Sequence, residues 1–384
     1  MTDRLRQLAH AELHARPFPR FEADWPILLL CVQTSPDTFA DVWQWLRQQL
    51  PNLPDQPAAG AWVTRTGQLD IRVEQHTEFL AISWRSPEGV QPPPVWLAAA
   101  PMEILVLTRF VAVDPERLTD QVDSASSMLG GALRVASQFS MGPDGTCEWH
   151  YAFTRPQTPE SRGRTLQMLM EVETYRVLSL IQMDKVREAH PTLQAIAKAE
   201  RASADQTELE VLERNEQELD TLWQSLNWRV SACRAYHDLV FQRLLDLDDQ
   251  PLDELPSLTE FLRRRMTPAI HTSETVMRRH QELAQTISRK ANLVRTRLQL
   301  NLETQNTELL SSLKQTAQRQ IRLQSTVEGL STVAISYYAL GLLSAAIAPW
   351  IDKGQAGWVK TALVPVVIAG VWFALQRIKR SLGH

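Results

Sequence analysis

Residues 329–351 read GLSTVAISYYALGLLSAAIAPWI, 23 consecutive positions without Asp, Glu, Lys or Arg. About 20 apolar residues at roughly 1.5 Å each cross a hydrocarbon core, so this run predicts a transmembrane helix. A second run, TALVPVVIAGVWFALQ at 361–376, is uncharged over 16 residues and extends back to 359 if Lys360 snorkels to the interface. The short stretch between them predicts a hairpin of two spans, 329–351 and 359–376, joined by an external loop at 352–358. A buried hairpin of a soluble core is the competing reading, and two such uniformly apolar runs count against it.

Lysine and arginine near the span ends set the expected orientation. Lys314, Arg319 and Arg322 precede the first span, and Arg377, Lys379 and Arg380 follow the second, in a basic tail at 377–384. The connecting loop has only Lys353 and Lys360 beside Asp352, so both termini are expected in the cytoplasm. The amino terminus, MTDRLRQLAHAELHARPF, has no apolar core of a signal peptide.

Upstream of the first span a helix is expected to begin near Ser257, meet Pro268, and then run without Gly or Pro to Gly329. Its apolar positions Leu283, Ile287, Ala291, Val294, Leu298, Leu302, Leu309, Leu313, Ala317 and Ile321, with Gln305 inserted, step by threes and fours close to an 11-residue repeat. At about 1.5 Å per residue, 80 residues of such a helix reach about 120 Å, which predicts a stalk packed against copies of itself. Two further long helices are expected before it, at about 160–187 and from Pro191 to about Leu247, giving a helical region at 157–328.

Before residue 156 the pattern changes to short apolar or alternating runs: 25–32, 61–75, 77–84, 102–113, 133–140 and 147–155. With helices expected near 1–14, 36–50 and 114–129, residues 1–156 predict an α/β or α+β domain. The whole chain is therefore expected to be α+β: this amino-terminal domain, a long-helix stalk and a two-helix membrane hairpin.

Composition narrows the function. A net charge of -4 and a pI near 6.2 lack the basicity of a nucleic-acid binder. Cys31, Cys147 and Cys233 lie far apart, which supports neither a disulfide framework nor a cysteine zinc site. There is no GxGxxG, GxxxxGK[ST], HExxH or GxSxG, so the chain reads as a non-enzyme without an implied cofactor. His14 and Arg16 before Pro17 suit a turn or an anion-binding loop. Glu171, Glu173, Tyr175 and Arg176 suit packing or ion pairs on a helix. His271 and His280 are nine apart and do not form a helical metal pair.

Charge divides unevenly along the helices. Residues 192–257 carry 14 acidic and 6 basic residues and end in the acidic cluster Asp246, Asp248, Asp249, Asp253 and Glu254; residues 258–328 carry 12 basic and 6 acidic. Complementary solvated faces are the ordinary reading. The alternative is an acidic surface that gathers cations, with Arg319, Arg322, Arg377, Lys379 and Arg380 as a basic collar beside a pore. Ser325, Glu328, Thr332 and Ser336 step by 3, 4 and 4 and share one helical face, the candidate pore lining.

ELHARPF (12–18), MLMEVETYR (168–176), RVSACRAYHDLV (229–240), FLRRRMTPA (261–269) and TVEGLSTVAISYYALGLL (326–343) resemble an uncharacterised bacterial family of membrane-anchored proteins, domain of unknown function 3422. That resemblance implies an inner-membrane protein. The order of a cytoplasmic α/β domain, long packed helices and two terminal spans also looks like the CorA divalent-cation channels. This likeness implies a homopentamer around a path for divalent cations, with lipid and other copies of the chain as partners. Where those channels have Gly-Met-Asn, this chain has Ala348, Pro349 and Trp350. The expected functions are a CorA-like cation conduit or, alternatively, a non-conducting anchored scaffold or sensor whose cytoplasmic domain binds a partner or small ligand.

Overall fold

The computed structural model describes residues 6–7, 10, 17–35, 37–50, 52–55, 60–66, 68–89, 102–120, 122–202, 208–347 and 356–382. The chain divides into two compact units, Met1–Ala291 and Asn292–His384.

The first unit is built on a nine-stranded sheet of order β2-β3-β4-β1-β5-β8-β7-β6-β9. In its interior lies β1 (Ile27–Gln33), flanked by antiparallel β4 (Phe79–Arg85) and β5 (Ile104–Ala112). The sequence ILLLCV is apolar at every position because both faces of this strand are covered. Leu28, Leu30 and Val32 pack with Val42, Trp45 and Leu46 of α1 (Phe39–Gln49), and with Ile71 and Val73 of β3 (Leu69–Gln75). Ile27, Leu29 and Cys31 alternate to the opposite face and join Leu166, Leu169 and Met170 of α2 (Pro159–Leu180). The edge strand β2 (Ala61–Thr66) pairs with β3, which pairs with β4. The parallel pair is β5 with β8 (Cys147–Phe153); β7 (Leu133–Met141) and β6 (Ser124–Met128) extend the sheet antiparallel, and the two-residue β9 (Gln250–Pro251) closes it. The mixed α+β class and the strands expected in the apolar runs are present.

A helix expected at 114–129 is corrected. Val122, Ala125 and Met128 have helical spacing, yet Ser124–Met128 is a strand between β7 and β9. Its serines serve the tertiary structure: Ser124 and Ser126 are buried, and Ser126 Oγ accepts the Leu258 amide at 2.8 Å. Most of the helix expected at 1–14 lies outside the described residues; Arg6, Gln7 and His10 are helical.

Helix α2 starts where Thr158 Oγ1 accepts the Ser161 amide at 3.2 Å and Pro159 occupies the first turn. Gly163 lets the segment around Pro19 cross α2: a Cβ there would lie 1.7 Å from the Pro19 carbonyl oxygen. The helix expected at 160–187 stops at Leu180, and α3 (Met183–Ala202) follows with Pro191 inside it. No Gly or Pro marks the turn at Ile181 and Gln182, and the helix runs through Pro191 despite the lost amide. Next come α4 (Glu208–Asp246) and α5 (Leu258–Ile347), the latter unbroken through Pro268 as expected. Residues 258–291 of α5 belong to the first unit, where Leu258, Phe261, Leu262 and Met266 join Val240 and Leu244 in the main core.

The second unit contains residues 292–347 of α5 and α6 (Ala356–Leu382). Every residue from 295 to 327 is exposed. Further along α5 the less exposed positions are Glu328, Thr332, Ser336, Ala339, Leu340, Ser344 and Ile347, one helical stripe; on α6 they are Leu363, Val367, Val371 and Leu375. Among the described residues, α5 is one helix long and apolar enough to cross a membrane, with a window of mean hydropathy 1.6; the run Thr361–Arg377 is a shorter apolar helix.

Candidate functional site

The four residues of the expected polar face have distinct environments. Ser325 is exposed, Glu328 and Thr332 are half-buried, and Ser336 is 6% exposed. Two hydroxyls bind their own helix: Ser325 Oγ donates to the Arg322 carbonyl and Thr332 Oγ1 to that of Glu328, both at 2.8 Å. Glu328 Oε1 accepts from Gln324 Nε2 at 3.3 Å. Ser336 Oγ is buried without a hydrogen-bond partner. From Glu328 to Ser336 the polar stripe is thus the covered side of the helix, while Tyr337, Tyr338 and Leu342 are each 70% or more exposed. Arg319, Arg322 and Arg377 are exposed. Lys379 and Arg380 fall within α6, and their side chains lie outside the described residues, as do Ala348, Pro349, Trp350, His14 and Arg16.

The acidic cluster between α4 and α5 builds a turn and a cap. Asp249 Oδ2 accepts the Thr259 amide at 2.7 Å and Ser257 Oγ accepts that of Glu260 at 3.2 Å, so the first turn of α5 has its donors satisfied. Asp248 and Asp253 adopt positive φ of 53° and 55°, a conformation Asp tolerates better than most residues. Asp246 pairs with Arg243 at 3.4 Å, and Asp248 accepts from Gln250 at 3.2 Å. Glu254 lies in the same connection before α5. Among the described residues no group of three or more His, Cys, Asp or Glu is arranged to hold a metal ion. His271 pairs with Glu274 at 3.3 Å, and His280 Nε2 lies 2.8 Å from the Leu219 carbonyl under the Trp223 ring.

Sequence reasoning missed a polar groove of about 600 Å³ on the sheet. The parallel register sets Arg109 of β5 beside Glu148 of β8, and alternation puts His150 on the same face as Glu148. Arg109 Nη1 donates to Glu148 Oε2 at 3.1 Å, with Asp144 Oδ2 3.6 Å from Nη2. Glu148 Oε1 lies 2.7 Å from His150 Nε2. A backbone hydrogen bond from Thr146 holds the Asp144 carboxyl below its ordinary pKa, with Arg109 adding to the effect. Asp120, Gln138 and Ser140 complete a lining that offers hydrogen bonds and net negative charge to a polar or cationic ligand. The alternation CEWHYAF was readable; the pairing of β5 with β8, distant in sequence, was not.

Residues 1–382 match a family model described as a protein of unknown function, DUF3422. The chain belongs to the DUF3422 family. No curated protein matches it.

Two segments of this DUF3422 chain, 168–176 and 229–240, meet where α2 and α4 pack, with the Tyr175 and Tyr236 rings stacked 5.5 Å apart. Glu173 is buried and held by Arg176 at 2.7 Å and by Thr108 Oγ1 at 3.1 Å. Burial pushes its carboxyl up, but the Arg176 charge and the hydrogen bonds to it outweigh that and leave its pKa below the ordinary value. Glu78, at the β3–β4 turn, accepts from Trp228 Nε1 at 2.9 Å, Arg229 Nη1 at 3.1 Å and Tyr236 OH at 3.3 Å, fastening the sheet to α4. Glu171 pairs with Arg243 at 2.5 Å. These contacts agree with the packing role read for 171–176.

Proposed function

We propose that this DUF3422 chain is a non-enzymatic, membrane-anchored scaffold or sensor. In this reading the apolar helices of the second unit lie in the bacterial inner membrane with both termini in the cytoplasm, and the groove around Arg109, Glu148 and His150 receives a polar partner or small ligand. The observation that carries it is the apolar window of α5, with mean hydropathy 1.6 and only 6% of the window buried. A core helix of a soluble protein is mostly buried; an apolar helix bare of protein needs another apolar phase, and a bilayer supplies it. The lysine and arginine distribution supports the orientation. The covered stripe of Thr332 and buried Ser336 supports a non-conducting hairpin, because its hydroxyls face protein within one chain.

The second reading is a CorA-like conduit for divalent cations. The unbroken course of α5 from Leu258 to Ile347 favours it, since such a helix could carry a signal or line a path. Purified chain in proteoliposomes separates the two. The scaffold reading expects no flux of magnesium, nickel or cobalt above empty vesicles. Flux that Glu328→Gln reduces and Glu308→Gln leaves unchanged would establish the conduit instead.

A further inference from the structure

Between the sheet and α2 lies a small cavity that leaves about 20 Å³ of room for the centre of a water molecule. Glu74 of β3, Ser83 of β4, and Gln167 and Glu171 of α2 bring polar groups to its lining, against apolar Phe79 and Met170. The register sets Arg72 opposite Ser83 and Glu74 opposite Ala81, so Glu74 and Ser83 share one face of the sheet. That face is the one α2 covers, because Phe79 and Ala81 join Leu166, Leu169 and Met170 in the main core.

Gln167 is 6% exposed, and the two ends of its amide differ. Nε2 donates to Glu171 Oε1 at 3.2 Å, whereas Oε1 is buried and accepts no hydrogen bond. Turning the amide round would set its oxygen against the Glu171 carboxylate, so the orphan is the carbonyl oxygen. A buried acceptor left unserved costs its full desolvation, and native folds seldom keep one without an ordered water beside it.

The lining decides what kind of occupant fits. One water needs about 10–15 Å³ of such room and two to four polar partners. Both bonds from Arg72 end on Glu74 Oε1, which leaves Glu74 Oε2 open to a donor, and Ser83 brings a hydroxyl that can donate. A water donating to Gln167 Oε1 and Glu74 Oε2 and accepting from Ser83 matches this set. A metal cation matches it poorly. Arg72 and Arg243 already balance Glu74 and Glu171, and among the described residues no three or more His, Cys, Asp or Glu are arranged to hold a metal ion.

We infer that this cavity is a binding site for one ordered water, which serves Gln167 Oε1 and links α2 to β3 and β4. Two measurements on the full chain in detergent test it. In denaturant unfolding followed by tryptophan fluorescence, Gln167→Met and Ser83→Ala should each lower the folding equilibrium constant about fivefold. The double variant should fall well short of the roughly twenty-five-fold loss that independent sites give, because either change alone already costs the shared water its place. Stability unchanged or raised by Gln167→Met, as expected on deleting a truly orphaned acceptor, or singles that simply multiply, would overturn the inference. A high-resolution crystal structure of the unaltered chain supplies the second test, independent of any variant. It should show one peak about 2.7–2.8 Å from Gln167 Oε1 that persists after treatment with a chelator. No peak there, or a peak with several oxygens at about 2.0–2.6 Å that the chelator removes, would equally overturn it, the latter in favour of a cation.

Discussion

In the first unit the apolar periodicity of the sequence is satisfied inside the chain; in the second it is not. Leu28, Leu30 and Val32 meet α1, while Ile27, Leu29 and Cys31 meet the opposite core, and none of the six is more than 3% exposed. Leu298, Leu302, Leu309 and Leu313 obey an equally regular pattern yet are 47–61% exposed. The difference teaches that a period tells which face is apolar and leaves open what covers it. In one unit the cover is a sheet or a helix of the same chain; in the other the described residues leave positions 295–327 exposed, and the cover we propose is lipid or another chain.

The comparison is broken most forcefully by removing a buried partner in the first unit. Glu173→Ala leaves Arg176 charged and unpaired in the core, and should cost about 3–5 kcal/mol in denaturant unfolding followed by tryptophan fluorescence. An acid titration sharpens it. Because the folded pKa of Glu173 lies below the unfolded value, its contribution is present above about pH 4.3 and is lost as pH falls through the folded value. The stability gap between the parent and Glu173→Gln should therefore narrow on acidification; a gap independent of pH would mean the carboxylate charge is not what matters.

Gly163→Ala drives a methyl into the Pro19 carbonyl and should destabilise by about 1–3 kcal/mol, because backbone lies on the other side. Loss of the α5 cap by Asp249→Ala should cost about 1 kcal/mol. At the small end, Leu309→Ala in the second unit should shift the first unit's unfolding by less than about 0.5 kcal/mol, since no described residue of the chain packs on it. A shift near that of a core leucine would place Leu309 in the folding core and erase the contrast.

The thiols give a chemical version of the same contrast. Burial pushes Cys31 and Cys147 up to about 12 and Cys233 up to about 11, so at pH 8 they should resist a thiol reagent until the protein unfolds. A cysteine introduced at exposed Leu300 should react at once.

What could be read in advance follows from the range of each signal. The strands around ILLLCV and LDIRVEQ announce themselves by local alternation and apolar runs, and α5 by the absence of breakers after Pro268. Ser124–Met128 could not be read, because its strand identity comes from β7 and β9 rather than from its own spacing. The turn at Ile181 and Gln182 has no punctuating residue. Among the candidate sites, the stripe of Glu328, Thr332 and Ser336 was visible as a spacing, but its being the covered side depends on tertiary structure. By composition the acidic cluster reads as a solvated face or, alternatively, a surface that gathers cations; that Asp249 caps α5 through the Thr259 amide is visible only in the fold. The Arg109, Glu148 and His150 groove required the register of two strands about forty residues apart, which no local pattern carries.

The central claim is that the bare apolar helices of the second unit are covered by lipid. Alkaline carbonate washing of membranes from cells producing the full chain tests it most directly, because the wash strips proteins held by charge and leaves those inserted in the hydrocarbon. The account predicts that the chain stays in the lipid pellet. Its release into the supernatant as a folded protein would contradict the account and require a protein cover for those helices.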